Sequence, residues 1–377
     1  MPDVLIYADT RRSSELRHEV PISIGDSFLY AESGGKRHLV VSALESPRLG
    51  GLGFEVHPYE EFGLDELRNS GMSWLEIDDE IVLSAVKSLG VTKAIVPGTF
   101  PLLLADKLRA QGVELEPSHD FFVDRRRVKS EAELAGIRRA QAAAEAGMEA
   151  ARDLLRRANQ NGKGLEVDGK PLTSERIKTA ISQAFIERGA SGGEFIVSHG
   201  AQSAIGHHMG EGQIQAGEPI VIDLWPCDDE SACCADMTRT YVVGDVPDEL
   251  AEWHRLCLEA LERAVDDMKP GVTGKSVFEG TCDIFERAGY PTQRTKKKGQ
   301  TLEEGFFHSL GHGVGLDVHE LPVLGLVGHE ALKSGEVFAI EPGLYRPGFG
   351  GCRLEDLVVV TDSGAEKITS FPYELTP

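Results

Sequence analysis

Residues 218–244 read EPIVIDLWPCDDESACCADMTRTYVVG. Pro219 to Trp225 and Ala235 to Val243 form two apolar strands around a polar tip. Each carries an aspartate, Asp223 and Asp236, where a core residue is expected. If Asp223 faces Asp236, the turn falls at Asp229-Glu230, among turn formers and charge. Directly opposed side chains sit roughly 4.5–5.5 Å apart at Cβ. Two carboxylates that close repel each other, and burying them unpaired is costly or forces one to take a proton. A cation between them removes the difficulty. The competing reading leaves one aspartate exposed and pairs the other with a neighbour such as Arg239. The hairpin alone does not choose between the two.

Further ligand types lie downstream. Residues 306–320, FFHSLGHGVGLDVHE, place His308, His312 and His319 among glycines, which let the backbone approach an ion or substrate closely. The spacing is not that of two histidines one helical turn apart, so this is not a helical zinc-protease motif. A lone histidine here would be an ordinary core or surface residue; three in twelve positions shift the balance toward ligation. Val337 to Gly343 is an apolar strand ending in Glu341, with Pro342 to stop pairing. Gly350 to Val360 is read as another strand, with Arg353 and Glu355 on one face and Asp356 on the other. Taken alone, that is an Arg–Glu pair on a half-exposed strand.

Asp223, Asp236, His312, Glu341 and Glu355 together make four carboxylates and one imidazole, with all but the histidine on expected strands. This oxygen-rich set suits two divalent ions. Mn²⁺ is favoured, and Co²⁺, Fe²⁺ and Zn²⁺ are compatible. Mg²⁺ alone would not call for so many protein ligands. Two ions about 3.5–4 Å apart would lower the pKa of a shared water toward ~7, giving hydroxide at neutral pH. That is hydrolytic chemistry.

The 377 residues, 41% of them hydrophobic, allow two domains with substantial cores. A formal charge of −22 argues against nucleic-acid or anionic-membrane partners. The six cysteines form no CxxC pair, and Cys233 and Cys234 are adjacent, so reduced thiols and a cytoplasmic location are expected. No signal segment and no membrane span is evident.

Residues 1–125 alternate candidate strands (4–7, 27–30, 38–41, 94–96, 113–116) with candidate helices (59–70, 77–89, 101–111), an α/β pattern without a ligand cluster. Ser130, with Glu133 three positions on, opens a long helix to about Ala158. Residues 159–169 read as a loop, Thr173 caps a helix to Arg188, residues 194–198 form a short strand, and helices span 248–268 and 275–288. The basic run 294–298 reads as a solvated loop.

The ordered motifs IDLW, ADMTRT, HxxGHGxGxxxHE, EPGLY and RLED resemble those of the pita-bread metallopeptidase family, which includes Xaa-Pro aminopeptidases, prolidases, methionine aminopeptidases and creatinase. The resemblance implies an α+β chain: a pita-bread (creatinase/aminopeptidase-like) catalytic domain at 126–377 behind a smaller N-terminal α/β domain at 1–125. It implies that Asp223 binds one ion, that Asp236 and Glu355 bridge, and that His312 and Glu341 bind the second. Glu341 would also shuttle a proton, His319 would stabilise developing negative charge, and His308 would line the leaving-group side. His207 matches a substrate-contacting histidine, with His208 as the alternative, and Arg353 would orient the bridging carboxylate. The implied substrate is a short peptide with proline in second position, cleaved by an aminopeptidase or a dipeptidase, and the implied assembly is a homodimer. Relatives on this fold with non-peptide substrates, or with only a scaffold role, supply the rival readings. Three departures bear on the substrate: a hairpin tip two residues longer than usual, Trp225-Pro226 after the first aspartate, and Gly206 where proline is frequent.

Overall fold

The computed structural model describes residues 2–377. The chain divides into one compact unit that ends at Arg126 and another running from Arg127 to Pro377. In the first, a mixed six-stranded sheet runs in the order Glu55–Pro58, Lys36–Val41, Phe28–Ser33, Asp3–Ala8, Lys93–Val96, Glu114–Pro117. Its strands bury both faces. Leu5, Leu29 and Val40 join a cluster with Ile81 and Leu108, from the helices Trp74–Ser88 and Leu102–Ala110. Val4, Ile6 and Leu39 face the opposite way, toward Leu16 and Phe122. The helix expected over 59–70 breaks at Gly63, whose φ of 88° belongs to the left-handed region, into Tyr59–Phe62 and Leu64–Arg68.

In the second unit the long helix is Glu131–Arg156. The Ser130 hydroxyl accepts from the Glu133 N–H, and the Glu133 carboxylate accepts from the Ser130 N–H. The helix packs along Ser174–Glu187, which Thr173 caps. A second helix pair, Asp248–Asp267 and Gly274–Arg287, packs together in the same way. Between the pairs lie two sheets, ordered Ile196–His199, Ile220–Leu224, Met237–Tyr241 and Glu320–Leu324, Gly311–Gly313, Val337–Ile340, Asp356–Val360, Ala365–Lys367. Along Val337–Ile340 alternate residues serve different cores. Val337 and Ala339 join the cluster of the first helix pair, whereas Phe338 and Ile340 join that of the second. Burial on both faces explains why these strands read as unbroken apolar runs.

Three further expectations need correction. The hairpin register is shifted by two: Asp223 pairs with Thr238 rather than Asp236. The shift is even, so both aspartates keep the same face of the ribbon. The run 159–169 is not a loop but most of a small ribbon, Asn159–Asn161, Gly164–Val167 and Lys170–Pro171. The strand expected over 350–360 breaks after Arg353, because the Glu355 N–H donates to the Thr238 carbonyl at 3.0 Å and draws the chain onto the hairpin. Among the described residues no helix is long and apolar enough to cross a membrane.

Candidate metal centre

The even register puts Asp223, Asp236 and Thr238 on one face of the central hairpin. Asp223 sits on the Ile220–Leu224 strand, and Asp236 directly precedes Met237–Tyr241. His312 is the middle residue of Gly311–Gly313. Gly311 is required there: a Cβ would lie 1.9 Å from the Ala339 carbonyl oxygen, so only glycine lets the two strands close. Glu341 and Glu355 stand just outside strand ends, at the breaks after Ile340 and before Asp356. The sequence expectation is reversed here: His312 is on a strand, and Asp236, Glu341 and Glu355 stand just outside strand ends.

Asp236, His312 and Glu355 each offer a ligand atom, and these atoms lie within 4.8 Å of one another. His312 Nε2 is 3.7 Å from Asp236 and 3.9 Å from Glu341, while its Nδ1 faces the Gly313 carbonyl at 3.1 Å. A proton held on Nδ1 by that carbonyl leaves the Nε2 lone pair aimed at the carboxylates. Asp223 accepts a hydrogen bond from Arg353 on Oδ2, whereas its buried Oδ1 has no partner. Arg353 also donates to Tyr345 Oη at 2.9 Å and to Thr238 Oγ1 at 3.3 Å. Thr238 Oγ1 in turn donates to Glu355 at 2.7 Å. The carboxylate that Arg353 holds directly is therefore Asp223, and Glu355 is oriented by Thr238. Arg239 pairs with Asp356 at 2.9 Å, not with either hairpin aspartate.

The electrostatics of this arrangement favour a cation. Burial first, and then the charges of Glu355, Asp223 and Glu341, hold the Asp236 carboxyl well above its ordinary range. Burial and the charges of Asp223 and Glu341 do the same to Glu355. Burial lifts Glu341 to about 7 despite the opposing charge of Arg353. Burial, with the His319 ring adding to it, lowers His312 to about 4 and keeps the imidazole neutral, as a ligand must be. A buried carboxylate oxygen without a partner, carboxylates crowded by like charge and a neutral imidazole are the donor set that divalent ions satisfy.

A cavity of about 530 Å³ opens over this cluster, bordered by His207, Phe307, His308, His319, Glu341 and Arg353 among others. The His319 ring lies 4.2 Å from that of His312. His308 Nε2 faces Tyr345 Oη at 3.0 Å and its Nδ1 faces the Ser309 carbonyl at 2.7 Å. His207 reaches the cavity wall, whereas the neighbouring His208 ring accepts the Gly210 N–H at 3.0 Å. Gly206 lines the cavity, but Trp225 packs against the core of the first helix pair, so that departure does not touch the pocket wall. Thr238, Tyr345 and Glu320 were missed by the sequence reading. Thr238 was within reach of it, being two positions from Asp236 and therefore on the same strand face.

The hairpin tip holds a further surprise. Cys227 and Cys234 are joined by a disulfide, correcting the expectation that all six thiols are reduced. Cys233, Cys257, Cys282 and Cys352 are free and buried.

Comparison with known proteins gives consistent results. The sequence matches metallopeptidase family M24 over residues 135–362. The Xaa-Pro dipeptidase of Pyrococcus horikoshii is 33% identical over 294 residues, 78% of this chain and 76% of that protein. The probable dipeptidase PepE of Mycobacterium tuberculosis is 30% identical over 344 residues, 89% of this chain and 84% of that protein. Among solved structures, the Xaa-Pro dipeptidase from Bacillus anthracis superposes with a TM-score of 0.80 at 25% identity, over 100% of this chain and 94% of that one. The X-Pro aminopeptidase from Thermotoga maritima gives 0.77 at 25% identity, over 99% and 97%.

Proposed function

The chain belongs to metallopeptidase family M24, and on that premise we propose that it hydrolyses the peptide bond preceding proline in short peptides. Its fold is α+β with the pita-bread architecture of its solved relatives. The observation that carries the proposal is the meeting of Asp236, His312 and Glu355 beneath an open cavity, beside an Asp223 oxygen that has no protein partner. Relatives named Xaa-Pro dipeptidase and X-Pro aminopeptidase support the choice of bond.

In this reading Asp223, Asp236, His312, Glu341 and Glu355 hold two divalent ions, with Mn²⁺ the best match to four carboxylates and one imidazole. When bound, such ions supply Lewis acidity and a water acidic enough to attack at neutral pH. The protein's own groups do the rest. Glu341 borders the cavity and carries a proton to the leaving nitrogen. His319, at the cavity wall, donates to the oxygen on which negative charge develops. His308, fixed by Tyr345 and the Ser309 carbonyl, shapes the leaving-group side, and His207 contacts the substrate from the wall. Arg353 keeps Asp223 in place from the side away from its open oxygen. The reading includes a catalytic domain at 126–377 behind a separate domain at 1–125 and a homodimer. Neither a non-peptide substrate nor a scaffold role draws support from the relatives' names, and every expected ligand position is filled.

The test is an assay of Xaa-Pro dipeptides and longer Xaa-Pro peptides, with and without chelator and added Mn²⁺. Cleavage that is lost to chelator and restored by Mn²⁺ is expected. Metal-loaded protein that cleaves neither substrate overturns the proposal.

A further inference from the structure

His319 is exposed, and its ring lies over that of His312, so its aim depends on the loop that carries it. That loop, residues 314–319, leaves the sheet at Gly313 and returns at Glu320, two residues paired across the ladder. Glu320 closes it from inside. Its Oε1 accepts the N–H groups of Leu316 at 3.1 Å and Asp317 at 3.2 Å, while its Oε2 is paired with the Lys129 ammonium. The Lys129 and Glu320 side chains are only 3% and 4% exposed. Gly315 makes room for this pair: a Cβ there would lie 2.5 Å from Lys129 Nζ and 2.7 Å from a Glu320 oxygen. The Gly315 carbonyl also accepts the Cys234 N–H at 2.7 Å, so the loop is tied to the hairpin two residues before Asp236.

Lys129 is itself anchored. Its N–H donates to the Gly335 carbonyl at 2.9 Å, and Arg127, two residues earlier, is paired with Glu330 and Glu336. Desolvating a lysine and a glutamate is expensive and a poor route to stability alone; where such a pair is kept, fixing a geometry is its best-supported use.

We propose that Lys129 is a positioning residue for His319, acting through the Glu320 carboxylate and the backbone of the 314–319 loop. The inference rests on the role given to His319 above. Without the ammonium, Glu320 no longer holds the Leu316 and Asp317 amides in one arrangement. The loop then samples several, and the imidazole leaves the place where charge develops. None of the five candidate ligands lies in the 314–319 loop, so metal content is expected to stay at the wild-type level.

The experiment uses the full-length, metal-loaded protein and an Xaa-Pro peptide, comparing Lys129→Met, Lys129→Arg and the double variant Lys129→Met/Glu320→Gln, which strands no buried charge if the single variant folds poorly. Expected results for Lys129→Met or the double variant are a fall in kcat of at least tenfold, KM within threefold and metal content as in wild type. Exchange at the Leu316 and Asp317 amides should be at least tenfold faster, with exchange in the helices unchanged. Lys129→Arg should recover most of the kcat. Wild-type kcat or unchanged loop exchange in the double variant overturns the inference. His319→Ala separates the two readings: if it retains wild-type turnover, the role of His319 fails, and faster loop exchange in the Lys129 variants would still show that the pair orders the loop.

Discussion

His199 illustrates how single side chains here are forced into one protonation state by their partners. Its Nδ1 faces the Glu218 carboxylate and its Nε2 faces the Glu211 carbonyl at 3.0 Å, so both ring nitrogens meet acceptors. Only the doubly protonated ring satisfies both. Burial opposes that charge, but the hydrogen bond and charge of Glu218 outweigh it and raise the ring above its ordinary 6.5. A folded-state pKa above the unfolded one gives stability that is fully present below about pH 6.5 and is lost as pH rises through the raised value. The melting-temperature difference between wild type and His199→Gln should therefore be larger at pH 6 than at pH 9. A difference that is flat or grows with pH would contradict the assignment. The five candidate ligands were legible because each is a charged or imidazole side chain interrupting an apolar or glycine-rich run. Tyr345 was not, since a hydroxyl in a strand has many ordinary uses, and for Thr238 the spacing from Asp236 gives the strand face but not the role. Lys129 was hidden by distance, with 191 positions separating it from Glu320.

At the level of elements, the long helices were the most legible part of the chain, whereas the short ones Ser14–Glu19, Ser46–Leu49 and His119–Arg126 gave no signal in the sequence. Ser130 and Glu133 announce Glu131–Arg156, and Thr173 and Thr273 cap helices begun one residue later. Strand ends were less so, because what ends them is tertiary: the Glu355 backbone leaves its strand to bond Thr238. The hairpin register was missed for a related reason. The polar tip offers several places to turn, and face burial fixes only the parity. The turn is set by Asp228, which accepts the Ser231 N–H at 2.8 Å and pairs with Arg139, with Ala232 at φ 63°. The Cys227–Cys234 bond then closes a loop of sequence separation 7 between Asp223 and Asp236. Closing so short a loop contributes about 2–3 kcal/mol through the unfolded chain. Cys227→Ser/Cys234→Ser should lower unfolding stability in denaturant by about that amount. Wild-type protein under reducing agent should match it. Equal midpoints for oxidised wild type and the double variant would show that the bond does not constrain the tip.

Across the whole molecule, charge is the dominant fact. A chain of net charge −22 has concentrated Asp223, Asp236, Glu341 and Glu355 around one imidazole, and burial drives three of these carboxyls upward rather than relieving them. The α+β class and the pita-bread fold could be read from motif order. The cage itself could not be proved from the sequence, since its members lie more than 130 positions apart and converge only through two sheets and a broken strand. The proposed hydrolysis requires those side chains to meet in order to hold a pair of cations. The most direct test is elemental analysis, on a per-chain basis, of protein stripped with chelator, reloaded with Mn²⁺ and desalted, for wild type and Asp236→Ala. Two ions per wild-type chain and at most one for the variant are expected, whereas a wild-type chain that retains none, or a variant that retains both, would overturn the dinuclear site.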